Sequence, residues 1–256
     1  MKIVVPLKQT VDLVEELELN DDGTDVEREY LTFKLNEWDE QALEEALLIK
    51  DAGGAEVTVV ALDETDADQS LYGALAKGVD RAVKLSGDFE AGVSSHARAA
   101  ILAEFIKAGG FDLVLIGVQT PEDLDGQTGV ILAGMLGLPH VSVAVAVEAD
   151  GDGVRVTQEM GAGVTHQLIV SGPAVVGVQA AREAPRYVPI SRIRSAMQAG
   201  GIEHQPAAEP AASTGLTVRR MFAPQSSSHA EMLSGDADAV AGRIIEIMRE
   251  RGALRV

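Results

Sequence analysis

The first half of the chain alternates between short apolar runs and longer segments in which apolar residues recur at helical spacing. The short runs are rich in Val, Ile and Leu and are typical of buried strands, whereas helical spacing indicates an amphipathic helix. We predict strands at 1–7, 56–62, 81–85 and 111–116, and helices at 36–52, 67–77, 91–108 and 130–136. Strands that alternate with helices indicate a Rossmann-like α/β fold, with a mostly parallel sheet and helices on both faces.

After Pro139 four further apolar runs follow one another without helices between them, at 141–149, 154–159, 164–170 and 174–178. The sequence Asp150-Gly151-Asp152-Gly153 between the first two runs favours a hairpin turn. We therefore expect antiparallel strands in the second half of the sheet. Gly and Pro residues interrupt the apolar stretch 130–147, which we interpret as helix, turn and strand rather than as a membrane span.

From Ala181 onwards prolines and glycines become frequent, which is typical of an extended arm that cannot fold alone. The last apolar pattern, at 237–251, predicts a helix with one apolar face. We divide the chain into an α/β domain at 1–180, an arm at 181–230 and a C-terminal helical region at 231–256. A terminal helix after a long arm either docks on another subunit or folds back on its own domain.

The chain is strongly acidic, with a formal net charge of -19, and it contains no cysteine. The negative charge argues against a nucleic-acid partner and against docking on an anionic membrane surface. The lack of cysteine excludes disulfides, thiolate catalysis and iron–sulfur clusters ligated by this chain. The first residues fit a strand better than a signal peptide, so we expect a cytoplasmic location and no membrane insertion.

The turn at 117–129 contains the strongest local indication of a ligand site. A predicted strand precedes it and a predicted helix follows it, which places helix N-terminal N–H groups where α/β proteins bind phosphates. Gln127 and Thr128 add side-chain donors at the start of the helix. The turn carries no Lys or Arg, so a phosphate would be held mainly by N–H groups and hydroxyls. The alternative is a capped helix entry without a ligand.

Few side chains are candidates for catalysis. The five His residues lack the spacing of helical metal ligands, and the sequence has no Walker A, GxGxxG or GxSxG motif. We therefore expect no metal site and no catalytic residue. The chain is better interpreted as a binding or carrier protein, in which a cofactor would supply any chemistry.

Five blocks of sequence follow one another in a specific order: Lys8 with Asp12, 36–46, 74–81, 112–129, and Pro185-Arg186-Tyr187. The second block reads Asn-Glu-Trp-Asp-Glu-Gln-Ala-Leu-Glu-Glu-Ala, and the fourth ends in Gln-Thr-Gly. In content and order these blocks resemble the β subunit of electron transfer flavoproteins. No single block is specific, but the ordered set is.

The resemblance implies an electron carrier rather than an enzyme. Such a β subunit forms a heterodimer with an α subunit, which holds most of the redox FAD at the interface, and binds one structural AMP itself. In electron-bifurcating members a second FAD takes the place of AMP. Electrons arrive from flavin dehydrogenases such as acyl-CoA dehydrogenases and pass to a quinone oxidoreductase of the membrane or a similar acceptor, or flow the opposite way.

The resemblance also implies which residues line the nucleotide: Pro6, Asn36, Glu37, Trp38, Asp39, Leu62, Gly117, Gln119, Asp123, Asp125, Gly126, Gln127 and Thr128. Asn36 is alternatively a plain helix N-cap. An acidic residue such as Asp123 is unusual beside a phosphate. We consider three roles for it: it accepts hydrogen bonds from the ribose hydroxyls, it binds the N–H groups of the loop, or it is solvated.

Position 126 leaves the identity of the nucleotide open. Gly126 replaces an Asn that helps to hold the AMP phosphate in the family. Bifurcating members have a small residue there but usually lack the hydroxyl that Thr128 keeps. We expect AMP, with a second FAD as the alternative.

The Pro185-Arg186-Tyr187 block implies a recognition loop, and the loop's apolar anchor falls on Ile190. We expect Arg186, Tyr187 and Ile190 to take part in partner docking, with nearby arginines steering an acidic partner. A buried contact with the α subunit is the alternative for Ile190. The competing hypothesis is a stand-alone adenine-nucleotide-binding regulator on the same fold; the arm and terminal helix argue against it.

Overall fold

The computed structural model describes residues 1–14, 16–29, 31–89, 93–124, 126–208, 218–223 and 230–254. The strands are β1 Lys2–Leu7, β2 Gln9–Val11, β3 Phe33–Leu35, β4 Glu56–Leu62, β5 Arg81–Ser86, β6 Leu113–Gly117, β7 His140–Asp150, β8 Gly153–Glu159, β9 Thr165–Val170, β10 Ala174–Val178 and β11 Ile202–Pro206. The helices are α1 Glu37–Gly53, α2 Ala67–Lys77, α3 Ser95–Gly109, α4 Gln127–Leu136, α5 Ile190–Ala199 and α6 Ala237–Glu250.

The predicted mostly parallel sheet is confirmed. Within the described residues nine strands form one sheet in the order β11-β5-β4-β1-β6-β10-β7-β8-β9, and the first seven run parallel. Central strands such as β1 and β4 are buried on both faces, which explains their continuous Val and Leu runs without polar alternation. The chain builds one side of the sheet from β1 to β4 and β5, then enters β6 on the other side of β1.

The predicted helices cover both faces of the sheet. Helices α1 and α2 pack on one face, and α3 and α4 pack on the other. Alternate residues of β1 serve the two faces, since Ile3 and Val5 contact the α1 side while Val4 contacts the α3 side. Each such buried aliphatic side chain stabilises the fold by about 1.5–3 kcal/mol.

The predicted antiparallel strands are confirmed at one end of the sheet. Strand β8 pairs antiparallel with β7 and with β9, and the turn after Asp150 uses Gly151 at a φ of +62°. Strand β7 changes partner from β10 to β8 at a bulge near Ala144. The bulge includes Val143 at a φ of +56°, a left-handed conformation that is costly for a β-branched residue.

Within its described residues, the segment expected to form an extended arm contains the helix α5 and the strand β11, which we did not predict. Strand β11 pairs in parallel with β5, from Ile202 opposite Ala82 to Pro206 opposite Ser86, and covers that edge of the sheet. The strand is short, and its three central residues are all polar, so the sequence carries no local strand signal here. Residues 209–217 and 224–229 of the arm lie outside the described residues.

The predicted terminal helix is present as α6. Its apolar positions include Val240, Ile244, Ile245 and Met248, and none of its residues is buried. In the portion of the chain that the structure covers, every helix is too short or too polar to cross a membrane.

Candidate functional site

A cavity of about 420 Å³ opens at the carboxyl edge of the parallel sheet, between β1 and β6. Its walls come from the ends of β1, β4 and β6, from α3, and from the loop that leads into α4. Strand order reverses at this point, and open α/β sheets bind ligands at such switch points.

The structure brings together most of the residues that the sequence suggested. The lining of this cavity includes Pro6, Asp39, Leu62, Gly117, Gln119, Asp123, Gly126 and Thr128. A neighbouring cavity of about 580 Å³ is lined by three others, Asn36, Glu37 and Trp38. Gln127 begins α4 beside the first cavity, and Asp125 lies outside the described residues.

Asp39 joins the ends of two strands beneath the cavity. Its carboxylate accepts the backbone N–H of Lys8, after β1, and that of Gly117, at the end of β6, each at 2.9 Å. Burial raises the pKa of the Asp39 carboxyl from 3.8 to about 6, although the two N–H groups act in the opposite direction. A Cβ atom on Gly117 would lie 2.5 Å from the Asp39 carboxylate, so this close approach requires glycine.

The side chain of Asn36 makes no capping hydrogen bond to α1. The residue occupies the N-cap position, but its Nδ2 instead donates to the carbonyl of Gln119 at 3.0 Å. The bond ties the start of α1 to the cavity loop. Asn36 is fully buried, and its Oδ1 finds no hydrogen-bond partner in the part of the chain that the structure describes.

Asp123 ties the loop rather than standing free in solvent. Its Oδ2 accepts from the hydroxyl of Ser95 at 2.8 Å and from the backbone N–H of Gln127 at 3.0 Å. Its own N–H donates to the Thr120 hydroxyl at 3.1 Å. One of the three sequence alternatives for Asp123, the binding of loop N–H groups, is therefore what the structure shows.

Two cations at the cavity were missed by sequence reasoning, because neither belongs to the turn at 117–129. Arg98 of α3 is 5% exposed, lines the cavity and pairs with Glu64 at 2.5 Å. Lys8 lines it as well, and its Nζ lies 3.1 Å from Glu122. An arginine on the apolar side of a helix was the available signal, since buried charges need a partner. Across the described ranges, no group of three or more His, Asp or Glu residues is placed to hold a metal.

Gly126 is explained by the backbone of the loop itself. It has a φ of +65°, a left-handed conformation that glycine adopts readily and asparagine more readily than most other residues. A Cβ atom there would collide with the carbonyl oxygen of Val118, so any larger residue requires the loop to shift. The glycine at this position therefore does not distinguish AMP from a second FAD.

Comparison with known proteins assigns the chain to a family. Residues 24–210 match the family model of the electron transfer flavoprotein domain. The electron transfer flavoprotein subunit beta of Methylophilus methylotrophus is 35% identical over 262 residues, which cover 98% of each chain. The chain belongs to the electron transfer flavoprotein β-subunit family. The β subunits of Bradyrhizobium diazoefficiens and Syntrophomonas wolfei are 33% and 36% identical over 197 residues, covering 77% of this chain and 78% and 76% of theirs.

The expected docking residues of this family member lie near the start of α5, but they differ in exposure. Tyr187 is 83% exposed and Ile190 is 65% exposed. The Arg186 side chain instead pairs with Glu44 and Asp51, each at 2.9 Å. Arg186 therefore fastens the segment to α1, while Tyr187 and Ile190 present apolar surface to solvent.

Proposed function

We propose that this chain is the β subunit of a heterodimeric electron transfer flavoprotein, in which it binds AMP and supports the redox FAD of an α subunit. The observation that carries the proposal is the cavity at the strand switch point, closed by the N-terminus of α4, in a chain of this family. When bound, FAD supplies the redox chemistry. The residues of this chain bind, shield and dock, so the chain acts as a carrier subunit and not as an enzyme.

The lining of the cavity is chemically suited to AMP. Pro6 and Leu62 offer apolar surface for adenine. The Thr128 hydroxyl and the N-terminus of α4 are suited to a phosphate. Arg98 adds guanidinium N–H donors to the wall, while its charge is paired with Glu64.

A second FAD in place of AMP is the competing ligand, and one observation favours it. A further cavity shares Lys8 and Arg98 with the first and is lined by Phe33 and Phe89, so a ligand longer than AMP would extend from the first cavity into it. We favour AMP because the first cavity presents the Thr128 hydroxyl.

We assign the binding of the α subunit to two exposed apolar surfaces of this chain. One is the face of α6 that contains Ile244 and Met248. The other is the loop after β2, where Leu13 and Val14 are exposed beside the cavity that Trp38 lines. A flavin held by the α subunit would be shielded from water by this second surface.

We assign the docking of redox partners to the start of α5. An exposed aliphatic anchor next to an exposed tyrosine, Ile190 with Tyr187, is typical of a binding hot spot. The partners would be flavin dehydrogenases such as acyl-CoA dehydrogenases, and the acceptor a quinone oxidoreductase of the electron transfer flavoprotein type. The site of action would be the cytoplasm.

The first experiment is a cofactor count on the chain co-expressed with its α partner. The purified complex is denatured, and the released FAD and AMP are quantified per heterodimer. One FAD and one AMP are expected. Two FAD and no AMP would indicate a bifurcating member of the family. Adenine nucleotide without flavin, and without a bound α chain, would support the alternative of a stand-alone regulatory protein.

The docking role of Ile190 is tested by Ile190→Asp in the same complex. We expect reduction by the cognate dehydrogenase to slow at least tenfold, while FAD content stays unchanged, because about 1.4 kcal/mol of lost hot-spot contact corresponds to tenfold. Ile190→Leu keeps the apolar surface and serves as the control. Transfer by Ile190→Asp at the wild-type rate would refute this role.

A further inference from the structure

The segment between β10 and α5 lies across helix α1 and is held there by α1 side chains. We call residues 181–186 the tether. Three backbone N–H groups of the tether, those of Ala181, Arg182 and Arg186, donate to side chains of α1. The tether leads directly into the proposed docking surface, so whatever fixes the tether also fixes where that surface begins.

Glu45 holds the first part of the tether. Its Oε2 accepts the backbone N–H of Arg182 at 3.0 Å, and its Oε1 accepts from the Nε of the same arginine at 2.7 Å. That Oε1 also accepts the backbone N–H of Val147 in β7 at 2.6 Å. The Glu45 side chain is fully buried. A single carboxylate therefore connects α1, the sheet and the tether.

Glu44, the preceding residue, holds the last part of the tether in the same way. Its carboxylate accepts both the backbone N–H and the Nε of Arg186 at 2.9 Å. The same guanidinium contacts Asp51, also at 2.9 Å. The Glu44 side chain is only 3% exposed. Each carboxylate thus binds the backbone and the guanidinium of one arginine.

Helix geometry shows that the tether crosses α1 at a fixed register. Gln41 and Glu45 are four residues apart and lie on one side of the helix, and Glu44 and Asp51 are seven apart and lie together on another. Adjacent residues such as Glu44 and Glu45 point about 100° apart. A slip of the tether by one residue would separate both arginines from their carboxylates at once.

Two adjacent buried carboxylates are a costly way to hold a surface segment, because each charge must be desolvated and then paired. Buried ion pairs contribute little net stability in many proteins, and in some they are retained because they fix one arrangement of the chain. We propose that Glu44 and Glu45 are positioning residues for partner docking, which set where α5 leaves the surface. The proposal rests on the proposed function, in which Ile190 at the start of α5 meets the dehydrogenase.

The physical part of the proposal is tested by hydrogen exchange on the purified heterodimer. We expect the double variant Glu44→Gln/Glu45→Gln to exchange the amides of the tether at least tenfold faster, while β1 and β4 keep their protection. Glu40→Gln is the matched control, since Glu40 lies on the same helix and pairs with Lys77 instead of the tether. Unchanged exchange in the tether would overturn the proposal.

The functional part is tested by steady-state reduction of the same heterodimers by the dehydrogenase. The double variant should raise the KM for the carrier at least fivefold and leave kcat and FAD content within twofold. A merely structural role would lower FAD content instead and leave KM unchanged. If Ile190→Asp raises KM and the double variant does not, the positioning role is refuted; if neither does, the docking surface itself is refuted.

A second variant keeps the test valid if the double Glu→Gln protein does not fold. Arg182→Lys/Arg186→Lys retains both charges beside the buried carboxylates but loses the planar fork of donors that arginine provides. We expect this variant to fold, to show faster tether exchange and to raise KM by a smaller factor than the glutamine variant. Wild-type exchange and KM in this variant would count against the proposal.

Discussion

The substitution Asp39→Asn removes a buried negative charge from beneath the proposed nucleotide site. In the wild-type chain the Asp39 carboxyl has a pKa of about 6 instead of 3.8, and burial is the main cause. The carboxylate nevertheless keeps two backbone N–H groups at 2.9 Å, from Lys8 and Gly117. The substitution removes the charge and also leaves one of these N–H groups without an acceptor, and only the effect of the charge depends on pH.

The sign of the pH dependence follows from the raised pKa. The folded protein binds the Asp39 proton more tightly than the unfolded chain does, so the contribution of this group is fully present below the unfolded pKa and is lost as pH rises through about 6. The shift from 3.8 to about 6 corresponds to about 3 kcal/mol. The side chain of the Asp39→Asn variant does not titrate, so the wild type should lose about that much stability relative to the variant between about pH 4 and about pH 7.

The measurement is urea unfolding of both purified chains at a series of pH values. Other carboxylates titrate in both proteins and cancel in the difference between the two free energies of unfolding. At neutral pH the difference itself is expected to be small, because leaving one N–H without an acceptor costs about 1–3 kcal/mol and offsets the relief of the charge. A difference that stays constant with pH would refute the reasoning.

Three further substitutions test other parts of the cavity. Arg98→Met should destabilise the purified chain by about 3–5 kcal/mol in urea unfolding, because it leaves the nearly buried Glu64 without its cation. Arg98→Lys keeps a cation and should destabilise the chain less. Equal urea midpoints for the wild type and Arg98→Met would contradict this. Gly126→Ala should lower the free energy of unfolding by about 1–2 kcal/mol, because position 126 has a left-handed φ, and the heterodimer should lose its AMP. Gly134→Ala, in open space on α4, is the control and should keep AMP. Retention of AMP by Gly126→Ala would contradict this. Thr128→Val should weaken AMP binding up to about tenfold in calorimetry, with Thr128→Ser close to wild type, and equal affinities would show that the hydroxyl does not touch the ligand.

The central sheet could be predicted from the sequence because its strands carry their own signal. Runs such as 56–62 are buried on both faces, and the predicted bounds agree with β4. Strand β11 carries no such signal, since it depends on the free edge of β5, which lies more than a hundred residues earlier in the chain. Local patterning therefore identifies strands that form the core and misses a strand that only covers an edge.

The site shows the same division between local and distant determinants. The strand–turn–helix order around 117–129 locates the cavity, because the geometry of α/β units places that turn at the carboxyl edge. Arg98 escaped prediction because its role depends on Glu64 and on the packing of α3 over the cavity. Asn36 follows neither pattern: its type and position predict a cap, but a distant carbonyl, that of Gln119, takes its amide.

The placement of α5 has a consequence for how this protein can change over evolutionary time. The helix lies between the tether and β11, which are both fastened to the main body, and none of its own residues is buried. Exposed substitutions usually change stability by no more than about 0.5 kcal/mol. Selection can therefore alter the exposed face of this one short helix, and with it the choice of redox partner, while the sheet and the nucleotide cavity stay as they are.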